Sequence, residues 1–586
     1  MNIYIHQVNS IIGNINHNAE IIIRLTNETP PGSISIFPEL MLSGYPTLDL
    51  AEMDWFLESI ERKLEHIQAS VEEDRLCIFG TILRSLHSDG KKAQNTCIGL
   101  TRKGIIHNQA KFLLPSYDIF HESRNFEPSR STSVLTWRSL TIATAICEDI
   151  WGEVENRYQE SPIPSILSSN PHLLIVISAS PYTKQKKYER HTILKHIAKQ
   201  YAVPICYCNL IGATDGIVFD GCSSFVQCDG SIAAEASNRT PDTILASIIP
   251  PSDTQTLPEK SLESKNTTEK IDAHPQLLLQ ENAQPPTPSP APISLPNNYS
   301  FASPKNSQDI VDALSLGIHD FCHKNGFEKV HIGLSGGIDS ALVACLASIA
   351  LGPHQVLGIM MPSHISSPAS ITDSLELASV LGIQTKEIPI EDSVQALSTT
   401  LEHSFSNAQS FDLMRENVQA RIRGTILMAY ANTTRSLLLS TGNKSEMATG
   451  YCTLYGDMCG GLAVIADLYK TEVYTLYRHL QKNYALLPEN ICKKPPSAEL
   501  RPDQTDQDTL PPYADLDEIL RLFIEEHRST ADILALGFQK EMIATVLSLV
   551  SQAEFKRHQA PPIIKISPVS FGDGRRISIS TQLHFF

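Results

Sequence analysis

The chain of 586 residues carries 47 lysines and arginines against 64 aspartates and glutamates, a formal net charge of −17, and is 42% hydrophobic and 19% charged. That length exceeds one ordinary core and implies two or three domains, and the composition is that of a soluble globular chain. No apolar run approaches the ~18 residues a membrane span needs, and the acidity excludes extended nucleic-acid binding while allowing a local basic pocket for one small phosphate ligand. The start, MNIYIHQVNS, lacks the basic-then-apolar order of a secretory signal, and the twelve scattered cysteines form no repeated C-x-x-C pair, so reduced thiols in the cytoplasm are expected.

From residue 1 to 250 the apolar runs ISIF (34–37), LCIFGTIL (76–83), LTIATAIC (140–147) and LLIVISAS (173–180) alternate with longer polar stretches of helical character. They predict the strands of a layered α/β or α+β sandwich. Three reactive groups stand at or near strand ends, where active sites gather: Glu39 behind Pro38 in ISIFPELM, Lys111 in NQAKFLL, and Cys147 closing TIATAIC. A thiol beside a carboxylate base and an ammonium is a competent nucleophile, because the base takes its proton and the ammonium supports the tetrahedral oxyanion; the combination suits amide hydrolysis through a thioester. Singly, each residue reads as packing or surface charge. Together and in this order, their contexts resemble the nitrilase or carbon–nitrogen hydrolase family across 1–250. The resemblance implies an α-β-β-α sandwich with Cys147 as nucleophile, Glu39 as general base and Lys111 as oxyanion support.

The segment 251–304, including TLPEKSLESKNTTEK and ENAQPPTPSPAPISLP, is too polar and proline-rich to bury a core and reads as a connector between domains. Beyond it, from 305 to 586, strands KVHIGL (329–334), QVLGIMMP (355–362) and SLLLSTG (436–442) alternate with helices at 306–323, 341–351 and 369–381. This rhythm predicts a doubly wound parallel sheet with ligands beyond the carboxyl ends of its strands. In LSGGIDS, Gly336 and Gly337 let amides approach an oxyanion, Ser335 and Ser340 add hydroxyl donors, and a helix N-terminus follows. The turn has no lysine of its own, which excludes the usual P-loop, and its nest fits a pyrophosphate. Asp339 would repel bare phosphate, which suggests a bridging divalent cation.

The six residues Ser335–Ser340 resemble the signature of the ATP pyrophosphatases. With ENVQARIRGTILM (416–428), LSTGNKSEMATGYCTLYGDMCGG (439–461), DLYKTEVY (467–474), PSAELRPDQTDQDTLPPY (496–513) and FKRHQAPPIIKIS (555–567), they are similar to NAD synthetase over most of 300–586. A nitrilase-like half ahead of such a half is the arrangement of the glutamine-dependent NAD synthetases, a family of homo-oligomers. The resemblance implies that Leu334, Ser335, Gly336, Gly337, Ile338, Asp339, Ser340, Arg421 and Thr441 contact ATP, and that Asp339 and Glu446 hold Mg2+. Asn417, Glu446, Tyr451, Asp457, Lys470, Ser497 and Lys556 are implied for deamido-NAD+, while Tyr117, Glu148, Ser180 and Lys186 are implied for glutamine and Glu122 supports Lys111. The implied reaction hydrolyses glutamine at Cys147 and passes the ammonia, still uncharged, to AMP-activated deamido-NAD+, giving NAD+, AMP and pyrophosphate. A water-poor passage and coupling between the sites are expected with it. Departures from the family pattern include Gln185, the loop GATDGI (212–217), and Asp118 and His121 in SYDIFHESRNF, where glycine and aspartate are commoner. Two other readings stay open: an ATP-pyrophosphatase amidotransferase with a different acceptor, and a non-catalytic nucleotide sensor, which has no reason to keep Cys147, Glu39, Lys111, Asp339 and Glu446 together.

Overall fold

The computed structural model describes residues 1–86, 89–155, 157–249, 304–402, 411–483, 487–497, 499–501, 504–581 and 585. The expected connector lies outside them except for Pro304, which opens a helix.

The first unit contains β1 (Asn2–Gln7), β2 (Ile34–Ile36), β3 (Leu76–Arg84), β4 (Ala93–Thr101), β5 (Gly104–Ala110), β6 (Val134–Trp137), β7 (Leu140–Ile146), β8 (Leu173–Ser178), β9 (Ile205–Asn209), β10 (Ile211–Thr214), β11 (Ile217–Asp220), β12 (Ser224–Val226), β13 (Ile232–Glu235) and β14 (Asp242–Ser247). Two six-stranded sheets result, ordered β14-β1-β2-β3-β4-β5 and β13-β12-β9-β8-β7-β6. Their central strands are parallel and their flanks antiparallel. Alternate side chains decide the layering, since successive residues of a strand face opposite sides. Ile3, Ile5, Ile36 and Ile78 meet Ile142, Ile146, Ile175 and Ile177 between the sheets. Cys77 and Phe79 point instead to the helices Ile15–Asn27 and Asp54–Ser70, and Leu174 and Val176 to the helix Lys186–Gln200. Covered on both faces, β8 can be apolar throughout (LLIVIS), as parallel central strands are. The unit is thus a four-layer α-β-β-α sandwich.

The second unit is built on β15 (Val330–Gly333), β16 (Val356–Met360), β17 (Gln384–Glu387), β18 (Leu437–Ser440) and β19 (Leu462–Ala463), in the order β17-β16-β15-β18-β19 and parallel throughout. Helices Pro304–Lys324, Ile338–Leu351 and Lys470–Asn483 cover one face, and Phe411–Thr434 with Glu391–Glu402 the other. The strand order reverses between β15 and β18, so the loops leaving these two strands open onto a common crevice. The helix expected from residue 341 begins at Ile338, because the extended Gly337 caps it and draws Asp339 into its first turn. Among the described residues no helix is long and apolar enough to cross a membrane.

The units are joined by a buried polar clamp. Helix Pro304–Lys324 lies against the β10–β11 hairpin, where Asp320 accepts from the Asn9 side chain and the Ala213 amide, each at 2.7 Å. Lys324 donates to Asn9 at 2.8 Å and to the carbonyls of Ser10 and Ala213 at 3.1 and 2.7 Å. Burying these charges costs solvation that only such complete pairing offsets.

Candidate active sites

At the ends of β2, β5 and β7 the structure gathers the three groups that the sequence singles out. Lys111 Nζ donates to Glu39 Oε1 at 2.7 Å and to Glu122 Oε1 and Oε2 at 2.8 and 2.9 Å, with all three side chains withdrawn from solvent. Remaining lone pairs are met by groups the motifs do not reveal: Asn95 Nδ2 donates to Glu39 at 2.7 Å, the Ala179 amide to Glu39 at 2.8 Å, and Tyr45 to Glu122 at 2.8 Å. The close packing needs a glycine beneath it, since a Cβ on Gly80 of β3 would come within 2.6 Å of the Glu39 backbone.

Cys147 follows β7 at once and opens a 3-10 turn with φ 41°, a left-handed conformation uncommon for non-glycine residues. Burial and the neighbouring Glu39 push its thiol well above the ordinary range, while Lys111 draws it down. The resting sulfur is therefore a thiol that needs a base, and a carboxylate stands beside it. Asp149, two residues on, accepts amides from Phe112 at 3.0 Å, Leu113 at 2.9 Å and Ile146 at 2.9 Å, tying the lysine segment to the cysteine turn.

Outside this trio, Glu148 accepts from Tyr117 at 2.8 Å, Tyr158 at 2.9 Å and Arg157 at 3.2 Å. Lys186 Nζ sits 3.6 Å from the centroid of the Trp151 ring, over which Arg157 also lies, and burial lowers its pKa to about 8. Ser180 is held by Asn209, to whose side-chain oxygen its amide donates at 2.9 Å. Cleft residues Tyr117, Arg157 and Lys186 face residues 523–528 and 565–577 of the second unit across a cavity of about 720 Å³.

In the second unit, Leu334–Ser340 turns from β15 into its helix. Gly336 has φ 72°, and a Cβ there would lie 2.5 Å from the Ser370 carbonyl, so only glycine allows the turn to close against the helix Pro368–Leu381. The Ser335 and Ser340 hydroxyls are 3.1 Å apart across it. A cavity of about 280 Å³ opens above, lined by Leu334, Ser335, Gly337, Ile338, Asp339, Ser340, Thr441, Glu446, Tyr451, Asp457, Lys470 and Ser497. At its floor Lys470 pairs with Asp339 and, at 3.4 Å, with Glu446, while Asn443 donates to Asp339 at 3.0 Å. Burial and the Asp339 charge raise the Glu446 pKa to about 8, against the pull of Lys470. Burial likewise lifts Asp457 to about 6.

Four expected contact residues stand off this lining. Gly336 shapes the turn from behind. Arg421 turns outward, donating to the Leu454 carbonyl at 3.2 Å, and Arg423 reaches the cavity in its place. Two residues along a helix differ by about 200° in direction, so a linear motif holding both does not say which one faces the ligand. Asn417 accepts from Thr453 at 2.9 Å, and Lys556 donates to the carbonyls of Gly450 and Cys452, both at 2.7 Å. These two brace the segment that carries Tyr451. Asn95 announces itself only as a polar residue inside the apolar strand QNTCIGL, and Asp149, Arg157 and Asn443 only as neighbours of the motif residues.

A sandwich with a buried Cys–Glu–Lys set, joined to a doubly wound sheet with an anion-binding turn at its switch point, defines a two-site enzyme that couples amide cleavage to nucleotide chemistry. Residues 7–258 match the carbon-nitrogen hydrolase family model and 310–560 the NAD synthase model. A glutamine-dependent NAD(+) synthetase of Synechocystis sp. is 37% identical, with 99% of this chain and 98% of the relative covered, and that of Thermotoga maritima is 38% identical with 98% of each covered. The solved structure of glutamine-dependent NAD+ synthetase from Acinetobacter baumannii with ADP superposes at a TM-score of 0.70 and 30% identity, covering 99% of this chain and 98% of that one. The chain belongs to the glutamine-dependent NAD(+) synthetase family.

Lys111→Met strands two buried carboxylates and is expected to destabilise the first unit by about 3–5 kcal/mol, seen as a lowered first thermal transition. Cys147→Ala, which removes no charge, leaves that transition nearly unmoved.

Proposed function

We propose that this chain makes NAD+ by cleaving glutamine in its first unit and amidating AMP-activated deamido-NAD+ in its second. The observation that carries the reading is the pairing, in one chain, of the sealed Glu39–Lys111–Cys147 set with the anion turn at the β15–β18 switch point. Glu39 takes the Cys147 proton as the sulfur attacks the amide carbon, and Lys111 Nζ stabilises the oxyanion. The proton then goes to the leaving nitrogen, ammonia departs, and Glu39 activates water to hydrolyse the thioester to glutamate. Tyr117, Glu148, Ser180 and Lys186 are assigned to the glutamine backbone and amide. Glu122 holds Lys111 in place.

In the second unit, the nicotinate carboxylate attacks the α-phosphorus of ATP and pyrophosphate leaves from the nest at Ser335–Ser340. Ammonia then attacks the acyl carbon and AMP departs. Asp339 and Glu446 face one lysine at the cavity floor, and Glu446, raised to about 8 by burial and the Asp339 charge, would give up its proton to a hard cation bound beside it. Mg2+ bound there supplies charge neutralisation for the phosphoryl transfer. Lys470 holds the carboxylates, and Thr441, Tyr451, Asp457 and Ser497 orient the dinucleotides. Arg423 joins this set by position, whereas Arg421, Asn417 and Lys556 support it indirectly. Work in the cytoplasm is supported by all twelve cysteines being free, and homo-oligomerisation by the family resemblance alone. A nucleotide sensor would not need the buried ion set, and nothing favours a different acceptor.

Cys147→Ala should abolish NAD+ formation from glutamine while ammonium-supported synthesis survives. Asp339→Asn should lower synthesis from either nitrogen source by about 100-fold or more. Joint loss in Cys147→Ala, or label from the glutamine amide absent from NAD+, refutes this division of labour. Lys186 is charged below its pKa of about 8, so kcat/KM for glutamine should fall as pH rises through 8. Lys186→Arg, which stays charged, should remove that fall.

A further inference from the structure

The loop that carries Tyr117 and Glu122 is gripped from the other unit. Asp118, at its tip, has φ 52°, a left-handed conformation that costs a non-glycine residue energy unless something holds it. Lys565 does so, with Nζ 3.0 Å from Asp118 Oδ2 and only 4% of its side chain exposed. Lys565 is itself fixed, since Nζ donates to the carbonyls of Ser567 and Pro568 at 2.8 and 2.9 Å and its amide donates to Gly216 at 2.8 Å. The next residues hang on Asp467, which accepts the amides of Ile566 and Ser567 at 2.8 and 2.7 Å and pairs with the fully buried Lys444 at 2.9 Å. Lys444 begins the helix Lys444–Thr449, which also bears Glu446. A path of polar contacts and short backbone steps therefore runs from the floor of the nucleotide cavity to the mouth of the glutamine cleft, one wall of which is the second unit's own 565–577 segment.

We infer that the Asp118–Lys565 pair is a positioning device by which the C-terminal segment of the second unit sets the loop bearing Tyr117 and thereby the capture of glutamine. The inference rests on the glutamine reading proposed above. Neither residue touches a reacting atom, so its effect must pass through Tyr117.

The test compares wild type, Lys565→Met, Asp118→Gly and the double variant of the full chain, each assayed with glutamine and with ammonium as nitrogen source. Glycine accepts the left-handed backbone, so Asp118→Gly removes the ion pair without straining the loop. Each single variant is expected to raise KM for glutamine about tenfold with kcat changed less than about twofold, and the double variant to match the worse single one. Ammonium-supported synthesis stays within about twofold of wild type. Unchanged glutamine KM, additive losses in the double variant, or a parallel fall with ammonium overturns the inference. If wild type turns over no glutamine, the proposed function falls with it; if wild type does and the variants match it, only the positioning role is lost.

Discussion

An ammonium sealed between two carboxylates is the constraint on which the first unit is built. Lys111, Glu39 and Glu122 are at most 5% exposed, and each would be intolerable there alone. Their coexistence dictates the surroundings: a glycine under Glu39, an asparagine and a backbone amide on its free lone pairs, a tyrosine on Glu122, and Asp149 bolting the lysine strand to the cysteine turn. The trio stands near a thiol whose own ionisation burial opposes. Lys111, Asn95 and the Ala179 amide fix the Glu39 carboxylate in place in a dry site.

The second unit uses the same ingredients, one lysine between two carboxylates, to a different end. Asp339 and Glu446 keep 18% and 19% of their side chains exposed, against 0% and 5% for Glu39 and Glu122. The first set is closed, as the covalent amide chemistry proposed for it requires. The second lies at the floor of an open cavity, where its carboxyl groups are reachable by what binds. Degree of enclosure, more than residue type, separates the two chemistries.

Much of this was legible in the amino-acid order. Buried strands such as LLIVIS and LTIATAI show as largely apolar runs because both their faces are covered, and the turn LSGGIDS shows because its backbone path demands glycine. What stayed hidden follows from geometry that a linear pattern does not carry. The antiparallel edge strand β6 is half exposed and lacks a continuous run. Arg421 and Arg423 differ only in helical phase, which depends on how the helix Phe411–Thr434 seats on the sheet. Asn95 and Tyr45 matter through partners 27 to 77 positions away. The pairing of Asp118 with Lys565, across two domains, could not be read from either segment.

The clamp of Asp320 and Lys324 on the β10–β11 hairpin carries a consequence for how the gene can vary. Because docking is accomplished by the opening helix of the second unit, the polypeptide bridge between the halves need only keep them at high mutual concentration. Its length and wording are then free to drift among descendants, while the hairpin and the helix that reads it must change in step.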